Sequence, residues 1–70
     1  MFIYLEDQQV IFAVSKVVKI YIEDDLTTMR VIIEGGQGFD LFHDNEAEAN
    51  DRLKSLADCL GTVGLGGKHE

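Results

Sequence analysis

The sequence predicts an α+β protein: a small antiparallel β-sheet of four to five strands in a meander, followed by one C-terminal α-helix packed on one face. Three observations predict it. Short β-branched and aromatic runs alternate with turn residues from Phe2 to Phe42. A capped, one-sided helical pattern follows, between Asn45 and Gly61. The chain carries no proline, repeat or linker-like stretch at which a second unit could begin. The expected organisation is one domain over residues 1–61 and a glycine-rich tail over 62–70.

"FIYL" (2–5) is aromatic and β-branched, and the polar "EDQQ" after it reads as a turn. "VIFAV" (10–14) is apolar, Ser15 and Lys16 interrupt it, and "VVKIYIE" (17–23) resumes. Here Val18, Ile20 and Ile22 alternate with Lys19, Tyr21 and Glu23, the period of a strand. The whole stretch is either one long strand with a bulge or two strands parted by a tight turn at Ser15 and Lys16. "DDLT" (24–27) is turn chemistry, because aspartate side chains bond to nearby backbone amides. "TMRVIIE" (28–34) is the next strand, "GGQG" turns, and "FDLF" (39–42) is the last.

The helix has clear ends. Asn45 is an N-cap residue with Glu48 three positions later, the spacing of a capping box. Glu46, Glu48 and Asp51 suit the positive end of the helix dipole. Ala49, Leu53, Leu56, Ala57 and Leu60 fall on one face, which leaves Arg52 and Lys54 towards solvent. Gly61 is placed to end the helix in a left-handed conformation.

Composition bounds what the protein can be. A domain of 70 residues buries a modest share of its surface and gains from a disulfide, a metal or association. One cysteine, Cys59, allows no intrachain disulfide and fits a reducing compartment. No Cys-x-x-Cys or His-x-x-x-His pattern is present, so neither a structural zinc nor any other cofactor is expected. Association is what remains. Thirteen acidic residues against six basic ones give a net charge of −7, which disfavours nucleic acid and anionic membranes as partners. The N-terminal residues lack a basic segment followed by an apolar run. The longest apolar stretch, Val10 to Val14, is far shorter than the roughly 20 residues of a membrane span. A soluble, cytoplasmic protein is expected.

The most suggestive stretch is "EGGQGFDLFHDNEAEAND" (34–51). A phosphate-binding glycine loop leads into a helix N-terminus, whereas "EGGQG" leads into a strand and is bracketed by Glu34 and Asp40. A hairpin turn is the better reading, because glycine supplies positive φ. Gly61 and Gly66 match two glycines of a P-loop, but Gly67 stands where the lysine belongs. Counting an EF-hand from Asp44 puts Ala49 at its glycine position and Ser55 at its glutamate position, so that pattern fails. His43, beside Asp40 and Asp44, reads as a solvated loop residue rather than a base or ligand. Cys59 reads as a half-buried, inert thiol, and Ser15 lacks a nucleophile context. No catalytic, cofactor-binding or metal residue is assigned.

One feature points to a partner. Val10, Phe12, Val14, Val18, Ile20 and Ile22, with Val31 and Ile33 of the next strand, are set on one face, while Ile3, Tyr4, Ile11, Ala13, Val17, Tyr21 and Ile32 fall among the rest, so both sheet faces read as apolar. Four strands span about 15–20 Å, and one helix about 10 Å. Either the sheet curls, helped by a bulge near Ser15, or a second copy covers the other face. The expectation is a non-enzymatic, self-associating interaction module, a homodimer with Phe2, Tyr4, Ile11, Tyr21 and Ile32 as candidate interface, open also to another protein partner. The alternative is a charge mimic that uses Glu23, Asp24, Asp25, Asp44, Glu46, Glu48 and Asp51 to occupy a partner's basic, nucleic-acid-binding surface. A small enzyme or ligand carrier is a third reading, disfavoured by the lack of room for a pocket. In layout alone, over roughly residues 1–60, the order of elements resembles many short reading frames of bacteria and their phages, with no shared motif.

Overall fold

A computed structural model describes residues 1–64. Of the tail expected over 62–70, the segment 65–70 lies outside the described residues. The elements are β1 (Phe2–Leu5), β2 (Val10–Ala13), a 3-10 turn at Val14–Lys16, β3 (Val17–Ile22), β4 (Thr28–Ile33), β5 (Gly38–Phe42) and α1 (Glu46–Leu60). The protein is a small α+β fold with antiparallel strands and a C-terminal helix. The strands divide into two sheets, a β1–β2 hairpin and a β3–β4–β5 meander, where one sheet was expected. The 3-10 turn is the reason. It breaks the chain at Ser15 and Lys16, so "VIFAV" and "VVKIYI" are separate strands of separate sheets.

Each turn follows from its residues. Asp25 Oδ1 accepts from the backbone amides of Thr27 and Thr28, at 3.1 and 2.9 Å, and Thr28 Oγ1 donates to Asp25 Oδ2. The two glycines after Glu34 have φ of 95° and 84°, so the "GGQG" segment is a hairpin turn as expected. Gly38 serves a different purpose. It pairs with Ile32, and a Cβ there would stand 2.6 Å from the Val31 carbonyl oxygen. The helix is capped by Asn45, whose side chain accepts from the Glu48 amide at 2.9 Å, and ends at Gly61 with φ of 69°.

The core lies between the meander and a second layer made jointly by hairpin and helix. Met29, Val31 and Leu41 of the meander, Leu5 and Phe12 of the hairpin, and Leu56 of α1 form one cluster. The rings of Phe12 and Phe39 meet at 5.5 Å and 54°. Met29, Val31 and Leu41 are at most 1% exposed, and burying each such side chain contributes about 1.5–3 kcal/mol. A single copy thus shelters the meander's inner face without a lone helix having to span it.

The meander's outer face is mixed rather than wholly apolar: Ile32 and the exposed Phe42 share it with polar and charged side chains. Lys19, Tyr21, Arg30 and Asp40 stand there; Arg30 Nη1 donates to Asp40 Oδ1 at 3.0 Å, and Lys19 Nζ lies 4.9 Å from the Tyr21 ring centre. A β-bulge between Val17 and Lys19 shifts the alternation at the start of β3. It adds one residue to β3, so Val17 and Ile20 pack on the core while Val18 is exposed.

Candidate functional site

Two concave surfaces and one exposed patch are the candidates. The first is a polar cleft of about 500 Å³ between the β1–β2 turn, the end of β5 and the first half of α1. Asp7, Asp44, Glu48 and Asp51 line it with Arg52 and His43. Arg52 Nη2 donates to both oxygens of Asp7 at 2.8 Å. That guanidinium holds the Asp7 carboxyl below its ordinary value. The sequence pattern put Arg52 towards solvent; instead it is half-buried against a turn 45 residues away.

His43 is also not a freely solvated loop residue. Its Nδ1 lies 3.0 Å from the Thr27 carbonyl oxygen, and a carbonyl only accepts, so Nδ1 carries the proton. This bond joins the Asp24–Thr27 turn to the loop before α1. Nε2 is buried without a protein partner, as is Arg52 Nη1. No group of three or more His, Cys, Asp or Glu side chains converges to hold a metal among the described residues. Ser55 lines the same cleft, but no His43–Ser55 hydrogen bond forms, so a nucleophile and base are not brought together.

The second surface is an apolar groove of about 360 Å³ between β3 and the C-terminal half of α1, lined by Val17, Val18, Ile20, Leu53, Leu56 and Leu60. Cys59 lies outside it and is exposed, not half-buried as its position near the apolar stripe implied.

The exposed patch is the outer face of the hairpin. Tyr4 pairs with Ile11 across the hairpin, and Phe2 lies two residues along on the same face. Of the five candidate interface residues, these three are brought together. Tyr21 and Ile32 belong to the other sheet, Tyr21 next to Arg30 and Ile32 next to Lys19 in register, and Ile32 is half-buried. The sequence reading missed Gln8, which binds the β5 backbone, and the open edge of β3.

No protein-family model, curated protein or solved structure matches the chain. The class that can be stated is therefore that of the fold, a small α+β protein. Among the described residues no helix is long and apolar enough to cross a membrane.

Proposed function

We propose that the protein is a non-enzymatic, self-associating protein-interaction module that holds a second copy of itself through sheet surface or a strand edge. The observation that supports this reading is the apolar surface left open in one copy. Phe2, Tyr4 and Ile11 are 69%, 60% and 63% exposed and contiguous on one face of the hairpin. Contiguous apolar patches of this kind mark interaction sites on proteins that otherwise keep them small. Sedimentation at micromolar concentration tests the reading: a dimer is expected, and a monomer overturns it.

A second reading, the charge mimic, is favoured by one contact. The His43–Thr27 bond brings the turn that carries Asp24 and Asp25 to the loop that carries Asp44, beside Glu46 and Glu48. Carboxylates from separate parts of the chain gather at one end of the molecule. Capture of a basic, nucleic-acid-binding protein that is lost in high salt supports the mimic, and salt-insensitive capture overturns it.

A further inference from the structure

We propose that two copies pair antiparallel along the open edges of β3, in a register centred on Tyr21, to make one continuous six-stranded sheet. The inference rests on the self-association reading and names its contact.

Among the described residues the edge is available. β3 is an outer strand of the meander, and the hairpin pairs only within itself. The Glu23 amide donates to the Thr28 carbonyl at 2.8 Å. Backbone direction alternates along a strand, so Ile20 and Ile22 turn their N–H and C=O groups away from β4. Those are the groups an added antiparallel strand needs.

The register follows from side chains. Antiparallel pairing about a two-fold axis at Tyr21 sets Tyr21 against its copy. Ile20 then opposes the copy's Ile22, and Lys19 opposes the copy's Glu23, each pair occurring twice. The isoleucines face the core side in both copies, so the two helices lie on one side of the joint sheet. The Lys19–Glu23 pairs fall at positions without backbone hydrogen bonds, where opposed side chains stand closest. A register centred on Ile20 is poorer, since it sets Lys19 against Tyr21 and Glu23 against Val17.

The environment of Glu23 points the same way. Its carboxyl is raised above its ordinary value by burial and by the nearby Asp40, with Asp25 adding to the effect and Arg30 opposing it. Arg30 is already engaged with Asp40. Within one chain the Glu23 carboxyl leans across β4 towards Asp40, and pairing with the copy's Lys19 turns it to the β3 edge, away from that like charge. A strand-to-strand contact lies at the small end of stable interfaces, so affinity in the micromolar range is expected.

Charge reversal on the full chain tests the proposal by sedimentation equilibrium. Lys19→Glu alone and Glu23→Lys alone each set like charges opposite one another twice and weaken the dimer about tenfold. The double variant restores it, and an equimolar mixture of the two single variants forms a heterodimer, which also shows that both remain folded. Lys54→Glu on the exposed side of α1, outside both the hairpin patch and the β3 edge, leaves the dimer intact. A dimer indifferent to the single reversals, or one weakened equally by Lys54→Glu, overturns this contact while self-association stands. A wild-type monomer overturns both.

Discussion

Gln8 binds the backbone of Phe42 through both ends of its side-chain amide. Oε1 accepts from the Phe42 N–H at 3.0 Å, and Nε2 donates to the Phe42 carbonyl oxygen. One side chain from the β1–β2 turn thus fills the hydrogen-bonding positions that a neighbouring strand would take at the end of β5. Together with Asp7–Arg52 it fixes the hairpin to the rest of the molecule at its turn end.

Replacing this amide is expected to loosen the hairpin. Gln8→Ala removes two hydrogen bonds whose partners then turn to water, a loss of about 1 kcal/mol by urea denaturation. Gln8→Glu is expected to lose at least as much, because a carboxylate cannot donate to the Phe42 carbonyl.

Acid stability should depend on Asp7 and Asp25. Arg52 lowers the first, and the Thr28 hydroxyl and amide lower the second, from an ordinary value of 3.8. A carboxyl depressed in the folded state contributes stability above its unfolded value. That contribution is lost as pH falls below 3.8 and through the folded values. Glu23 acts in the opposite sense, since its raised carboxyl favours the folded state when protonated. Thermal melts from pH 6 to pH 2 should show a shallower acid decline for Asp7→Asn and Asp25→Asn than for wild type. An unchanged slope would count against these pairings.

Two glycines should respond differently to alanine. Gly36 has φ of 84° with open space around its Cβ position, so Gly36→Ala costs about 1 kcal/mol of backbone strain. Gly38 has no positive φ, but its Cβ would press on the Val31 carbonyl. Gly38→Ala should cost about 2–3 kcal/mol through displacement of β5 from β4. Denaturation midpoints of the two variants give the comparison directly.

Cys59 is exposed on α1, so a thiol reagent should label the folded protein stoichiometrically without denaturant. Labelling that required urea would place the thiol inside the fold.

What could be read from the sequence was local. The Asn45 cap on the Glu48 amide, Gly61, Asp25 of "DDLT" and the glycines after Glu34 each signal through neighbours within four residues, and each takes the expected local structure, although the Glu48 carboxylate accepts from Asp44 rather than Asn45. The hairpin patch was legible in part, because Tyr4 and Ile11 flank a short polar turn. Gln8–Phe42 and Asp7–Arg52 join residues 34 and 45 positions apart, and glutamine or arginine carries no mark of a distant partner. The exposure of Val18 was hidden for another reason: one extra residue in a strand reverses every later side chain. Tyr21 and Ile32 looked like companions of Phe2 because nothing in the sequence around Ser15 and Lys16 distinguishes a bulge in one strand from the 3-10 turn that parts the two sheets.

The amide of Gln8 also bears on how such a chain behaves when crowded. Ribbon-like aggregates grow when every molecule can accept a neighbour on both flanks. A newcomer laid along β5 would have to evict Gln8 and pull the hairpin from its anchorage, whereas among the described residues β3 meets no such obstacle. The meander is therefore obstructed at the end of β5 and, among the described residues, open along β3, an asymmetry that works against two-sided growth.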